Sequence, residues 1–344
     1  MTTVRLYRPE DHTLWNDFAR QHATLYHHIA WKGVIEEGFG HRALYWLAQE
    51  ASGALCGILP CVHLKSALFG NFIVSLPYFN DGGVCATDAS SRKALLEAAI
   101  TYAKECGAAH VEFRQNARLD DAIILPVKAT KVAMRLALPD DAETLFKSFD
   151  AKLRSQIRRP TREGMTARIG RLEVLDDFYA VFAHNMRDLG TPVYARDFFE
   201  RILLAFTEES WICSVYQGNI PVAAGFLIGF KETLEIPWAS SLAAYNRYSP
   251  NMLLYWTALE QACKRGFKTF DFGRSTPNEG TYRFKAQWGA TPHPLYWHYW
   301  MKEGGPLPEL NPKNPKYRAA IALWKRLPVG LTRILGPWIV RNLP

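Results

Sequence analysis

The spacing of apolar positions along the chain switches repeatedly between a period of two and a period near 3.6, and the switches mark out its elements. Apolar runs at 43–49, 53–64 and 72–76 predict strands, the second kinked by Gly57 and Pro60. Asn80-Asp81-Gly82-Gly83 then predicts a loop. Over 89–106 the residues Leu95, Ala99, Tyr102 and Ala103 share one helical face, with Ser90 or Ser91 as N-cap and Gly107 as the stop. A strand follows at 109–113. The second half opens with a strand at 132–138 and helices at 142–149 and 152–163. Strands at 211–216 and 222–230, joined by Gly218-Asn219, lead to another at 233–240. A helix over 250–265, started by Ser249-Pro250 and ended by Gly266, precedes a strand at 267–272.

Two of these stretches match. A helix, Cys106-Gly107, two residues and His110-Val111-Glu112-Phe113-Arg114 parallel a helix, Arg265-Gly266, two residues and Thr269-Phe270-Asp271-Phe272-Gly273. Gly107 with Gly266, Glu112 with Asp271 and Phe113 with Phe272 stand at one constant offset. Any α/β crossover can place a glycine cap before a strand, but a fixed offset across three residue types favours duplication. The pattern predicts two similar α/β domains with a boundary near 126–131.

Composition agrees with that size. At 344 residues, 48% hydrophobic and 22% charged, the chain can bury two cores, which excludes a disordered, collagen-like or disulfide-miniprotein class. Six scattered cysteines without a C-x-x-C pair argue against structural zinc and against a secreted disulfide framework, leaving reduced thiols. The first residues show no apolar h-region, and no apolar stretch is long enough to span a bilayer. The expectation is a soluble, cytoplasmic chain.

Charge is concentrated at two places. Lys313, Lys316, Arg318, Lys325, Arg326, Arg333 and Arg341 carry +7 of the net +8, with no acid among them. They interleave with Trp324, Leu331, Ile334, Leu335, Trp338 and Ile339, which suits either a helix pair touching anionic lipid on the inner face of the cytoplasmic membrane or a tail docked on the body. Pro328, Gly330, Gly336 and Pro337 exclude one long helix. The second concentration lies between Lys147 and Arg171. There Arg154, Arg158 and Arg162 recur at i, i+4 and i+8, and together with Arg159 they form a candidate phosphate-binding face; a solvated helix face is the bland alternative.

The densest local pattern is Asp271-Phe272-Gly273-Arg274-Ser275-Thr276 followed by Gly280-Thr281-Tyr282-Arg283-Phe284-Lys285-Ala286-Gln287-Trp288-Gly289-Ala290. Upstream stand Tyr248-Ser249-Pro250-Asn251-Met252, Leu153-Arg154-Ser155-Gln156-Ile157-Arg158-Arg159 and Asn185-Met186-Arg187-Asp188-Leu189-Gly190-Thr191-Pro192-Val193-Tyr194. In this order the motifs resemble the FemABX family of nonribosomal peptidyltransferases, in its branch associated with exosortase and exopolysaccharide loci. The resemblance spans about residues 130–300 and extends loosely into the first half. It implies an α/β (α+β) fold of two tandem GNAT-like domains, 1–128 and a catalytic 129–302, to which the charge pattern adds a basic amphipathic helical tail at 303–344. It implies an acyltransferase that forms an amide on a peptidoglycan or exopolysaccharide precursor, with aminoacyl-tRNA as donor co-substrate and no further cofactor; the Cys and His spacing gives no metal site, and no DNA partner is expected.

Aminolysis of an ester needs a neutral amine, support for the tetrahedral oxyanion and a proton for the leaving group. The resemblance implies that Phe284 and Lys285 lie beside the transferred group, and Lys285 is the candidate oxyanion partner in a pocket of the second domain; the alternative is a core Phe and a solvated strand Lys. Asp271 is a candidate proton acceptor, although its match to Glu112 fits a structural role equally. Lys32, in Trp31-Lys32-Gly33, stands where the resemblance implies a lysine meeting the precursor. Arg187, Thr191 and Tyr194 are expected to line the acceptor cleft, and Arg274, Tyr282 and Asn251 complete the candidate substrate set. No Ser/His/Asp or Cys/His arrangement and no Walker loop stands out. The turn 246–251 lacks the glycine of a coenzyme A pyrophosphate cradle, and Pro250 removes a donor. Two alternatives stay open: a GNAT-type N-acyltransferase acting on an aminosugar with acyl-CoA or acyl carrier protein, and a noncatalytic binder in exopolysaccharide assembly.

Overall fold

A left-handed glycine ends the helix before a strand in each half of this protein, Gly107 in the first and Gly266 in the second. The computed structural model describes residues 2–119, 123–305, 307–308 and 315–343. The chain forms two units, one from residues 1–132, 293–309 and 341–344, the other from 133–292 and 310–340. The linear division at 128 and 302 differs from this because the chain returns to the first unit at 293, and 303–344 is shared between the units.

In the first unit β1 (Thr3–Leu6), α1 (His12–His22), α2 (Ala30–Phe39), β2 (Arg42–Gln49), β3 (Leu55–Ser66), β4 (Gly70–Val74), β5 (Cys85–Ala86), α3 (Ala89–Glu105) and β6 (His110–Gln115) follow in order. β7 (Val127–Ala137) carries the chain out of this unit and β13 (Thr291–Met301) brings it back. The sheet order is β1-β2-β3-β4-β6-β13. α3 covers this sheet, with Leu95, Leu96 and Ala99 fully buried against Leu59, Ile73 and Phe113. Its N-cap is Asp88 rather than Ser90 or Ser91: the Asp88 carboxylate accepts the Ser91 N–H at 2.8 Å, so the cap lies outside the predicted pair.

In the second unit come α4 (Ala142–Ser148), α5 (Ala151–Arg162), β8 (Met165–Gly170), α6 (Leu175–Leu189), α7 (Arg196–Ala205), β9 (Ser210–Gln217), β10 (Ile220–Phe230), β11 (Thr233–Ser241), α8 (Pro250–Lys264), β12 (Thr269–Ser275), α9 (Gly280–Ala286), α10 (Pro315–Trp324) and α11 (Val329–Val340). The sheet order is β7-β12-β11-β10-β9-β8. An aromatic cluster of Phe178, Phe182, Phe198, Phe199, Phe226 and Trp238 fills one face. α8 buries Leu254, Ala258 and Leu259.

The duplication read from the glycines is present in the hydrogen bonds. Gly107 and Gly266 both adopt left-handed backbone, at φ +69° and +78°. The next residues close equivalent rings, Ala108 N–H to Ala103 O at 2.9 Å and Phe267 N–H to Ala262 O at 3.0 Å. Each unit then forms one parallel strand pair in the same register, Ile73↔Val111 and Val74↔Glu112 in the first, Leu234↔Phe270 and Glu235↔Asp271 in the second.

Candidate active site

The second parallel pair runs from Thr233↔Thr269 to Glu235↔Asp271, after which β12 turns at Gly273, whose φ of +74° suits a residue without Cβ. The Asp271 carboxylate fixes this turn. One oxygen accepts the Gly273 N–H at 2.7 Å, and the other accepts Arg135 Nε, from β7, at 2.9 Å. The turn leaves two strand carbonyls to be satisfied, and Lys285 reaches them from α9. Its ammonium donates to Gly273 O at 3.0 Å and to Arg274 O at 2.9 Å. An ammonium has three donors, so one remains beyond these two.

Lys285 is only 7% exposed, and burial pulls its pKa down to about 8 against the opposing pull of Asp271 and Glu235. Phe284, its neighbour in sequence, belongs to an aromatic wall. Tyr255 stacks on Phe272 at 5.5 Å and meets Phe284 at 5.1 Å, and Trp288 packs on Phe149, Phe272 and Phe284. Burial pushes the Tyr255 phenol well above its ordinary range. Beside the Arg274 carbonyl, the Ser275 hydroxyl is buried without a hydrogen-bond partner among the described residues, as is Trp288 Nε1. Ser275 was not singled out by sequence reasoning. The signal was its place directly after the Arg274 of the motif.

A cavity of about 490 Å³ lies against this wall, lined among others by Leu136, Leu138, Leu145, Phe149, Gln287 and Trp288. Lys285 is not part of its lining; its ammonium meets the carbonyls of Gly273 and Arg274. Lys285 also lies on a helix, not on the strand of the bland alternative.

The first unit closes the equivalent place. Where the second unit has Gly273, the first has Arg114, only 3% exposed. Its side chain pairs with Glu112 at 2.6 Å, donates to Phe79 O at 2.6 Å and lies over the Trp297 ring at 4.4 Å. A guanidinium therefore fills the space beside the first unit's strand, whereas in the second unit an ammonium reaches in from a separate helix.

A model of the acetyltransferase (GNAT) domain matches residues 147–286. FemX shares the fold with a TM-score of 0.64 at 15% identity, over 86% of this chain and 96% of its own. A C-terminal domain ascribed to a lysylphosphatidylglycerol synthetase of Agrobacterium fabrum superposes with a TM-score of 0.58 at 14% identity, over 92% and 95%. A tandem GNAT protein from the clavulanic acid biosynthesis pathway gives 0.53 at 10% identity, over 90% and 100%. No curated protein sequence matches the chain. The chain has the Fem-like tandem GNAT fold. The match to the acetyltransferase (GNAT) domain falls within the second unit, and the matched segment contains β11, α8, β12 and the Phe284-Lys285 pair.

Within this Fem-like fold, Lys285, Phe284, Asp271 and Arg274 gather around the end of β12, with Tyr282 half-buried on α9. Asn251 is half-buried in the first turn of α8. That turn keeps Pro250 at its first position as predicted, Ser249 is left-handed at φ +61°, and the Met252 N–H is taken by Ser249 O. The remaining candidates lie elsewhere. Arg154 turns inward to Lys147 O and Phe149 O, and Arg158 lies over the Phe146 ring at 4.9 Å, so the expected row of three guanidinium groups is partly spent on α4. Arg158 and Arg159 stay exposed. Arg187 pairs with Asp188 and donates to Leu327 O at 2.9 Å, holding the segment before α11. Tyr194 packs with Phe198 and Trp238, and Thr191 is exposed. Lys32 belongs to the first unit and pairs with Glu36 at 2.5 Å. Among the described residues no group of three His, Cys, Asp or Glu side chains could hold a metal ion.

Proposed function

We propose that this protein transfers an aminoacyl group from aminoacyl-tRNA onto an amine of a cell-envelope precursor, of peptidoglycan or exopolysaccharide, and that the second unit performs the step. In that reaction the amine nitrogen bonds to the ester carbonyl carbon and the carbon–oxygen bond to the ribose breaks. The proton lost by the amine ends on the departing hydroxyl oxygen, so no external acid is consumed. Negative charge gathers on the carbonyl oxygen at the tetrahedral stage, and preorganised donors stabilise it most where water is excluded. Lys285 is the donor we assign. Two of its protons are anchored to the β12 carbonyls, and the third, with the Ser275 hydroxyl, is left for the oxyanion.

The observation that carries this reading is the buried ammonium fixed between Gly273 O and Arg274 O. The choice of tRNA over a coenzyme A thioester is supported by the start of α8, where no glycine opens the backbone and Pro250 has no N–H to offer. Exposed Arg158 and Arg159 supply cations for a polyanionic donor. The match of residues 147–286 to an acetyltransferase domain keeps one second reading in view, N-acylation of an aminosugar by an acyl thioester.

The test is to incubate the purified protein with charged tRNAs, acyl-CoA or acyl carrier protein and envelope amines, and to follow products by mass spectrometry. Amide formed only from charged tRNA supports the proposal. Coenzyme A release with amide formation moves the assignment to the second reading, and no amide from any donor overturns both.

A further inference from the structure

The amphipathic pattern of α11 faces the opposite way from that of an ordinary surface helix. Its docked face is made of small or short residues. Thr332, Gly336 and Val340, at i, i+4 and i+8, are buried, and Gly336 lies so close to Val193 that a Cβ there would stand 2.7 Å from the Val193 nitrogen. Its large apolar side chains point out instead. Leu331, Ile334, Leu335 and Trp338, at i, i+3, i+4 and i+7, are 40%, 66%, 41% and 66% exposed, and Leu323 on α10 is 65% exposed. A contiguous apolar stripe on a docked helix marks a contact surface rather than scattered exposure.

Charge identifies the partner. Arg318, Lys325, Arg326 and Arg333 are exposed around the stripe, and no acid occurs in the sequence after Glu309. Beside it a groove of about 420 Å³ is lined by Tyr179, Arg196, Arg333, Ile334 and Pro337, with the Arg333 guanidinium lying 4.8 Å from the centre of the Tyr179 ring. Arg196 is balanced by Asp176 and Glu200, which leaves Arg333 as the groove's net cation. A second copy of the chain would oppose this cationic rim with the same charges, whereas an anionic bilayer offers an apolar interior under a negative surface. No helix among the described residues is long and apolar enough to cross a membrane.

We propose that α11 lies in the interfacial plane of an anionic phospholipid bilayer, with Ile334, Leu335 and Trp338 below the headgroups and Arg333 at a phosphate. The proposal stands independently of the transfer reaction. Cations hold the helix at the surface, and the buried stripe holds it against dissociation.

The experiment is co-sedimentation of the full chain with vesicles of phosphatidylcholine alone and of phosphatidylcholine with phosphatidylglycerol, for wild type, I334E/W338E and L335S/W338S. Circular dichroism and melting of each variant confirm its fold, which substitutions at exposed positions leave intact. Wild type is expected to bind the anionic vesicles, to release them at high salt and to bind neutral ones weakly, and each variant to lose binding by about tenfold. Absence of wild-type binding, or equal binding by the variants, overturns the proposal. So does a dimer, seen by light scattering, that the same variants split.

Discussion

Lys285 Nζ and the backbone oxygen of Gly273 lie 3.0 Å apart, which ties a short helix to the strand end at which the parallel pairing has just stopped. Twelve residues of chain separate the two groups, and the bond converts a cation on α9 into a fixture of β12. The first unit has no such arrangement at the matching place, where Arg114 is held instead by Glu112.

The ammonium makes stability depend on pH in a definite direction. Burial lowers the Lys285 pKa to about 8, from 10.5 in an exposed lysine. Between those two values the unfolded chain binds the proton more tightly than the folded one, so this group makes the protein more stable as pH rises through that window. Below about 8 both states are protonated and the penalty is constant. The contribution is on the order of 3 kcal/mol across the window. Urea unfolding of wild type and K285M from pH 7 to 10.5 should show wild type gaining on the variant; parallel curves would remove the shifted lysine.

Gly273→Ala is expected to lose about 1 kcal/mol of stability, the cost of left-handed backbone for a residue with Cβ. Space is not the obstacle, since the nearest atom to a Cβ there is Ile236 O at 3.6 Å. If the turn relaxes, both carbonyls that hold Lys285 move, and turnover should fall by more than the stability loss explains. The pair of measurements is melting and initial rate on the same preparation.

Much of this was legible beforehand. The strands at 43–49, 211–216, 222–230 and 233–240 lie within observed strands, and the glycine offset that suggested duplication reappears as equivalent helix caps. What the pattern missed depends on distant partners. α9 is short, and five of its six side chains are exposed or half-exposed, so no apolar face announced it; Lys285 is buried only because carbonyls eleven and twelve residues upstream receive it. Arg154 and Arg158 followed the helical spacing that suggested a phosphate face, yet the end of α4 and the Phe146 ring take up part of that face. α6 and α7 went unread although their aromatic residues build the core of the second unit.

The two arginines that remain exposed on α5 have a measurable role if the donor is a polyanion. R158E/R159E should raise the apparent KM for charged tRNA on the order of tenfold at low salt, and the difference should shrink as salt screens it. A salt-independent change, or one in kcat alone, would assign these residues elsewhere.

Gly336→Ala places a methyl group 2.7 Å from Val193 N and 2.8 Å from Val193 O, both backbone atoms that cannot rotate away. The expected result is partial undocking of α11 with a loss of about 1–3 kcal/mol. Hydrogen exchange should show faster amide exchange confined to 329–340 and the 190–195 loop. Unchanged protection there would mean that the helix is not seated as described.

The account rests on one group, and a single-turnover rate of amide formation tests it most directly. K285M removes the charge at similar volume, and K285R keeps a cation that does not titrate near neutral pH. With folds matched by melting, K285M should be slower by about a hundred- to a thousandfold, and K285R should retain part of the rate and lose the decline expected of wild type above about pH 8. A K285M rate equal to that of wild type would contradict the assignment of Lys285 to the oxyanion.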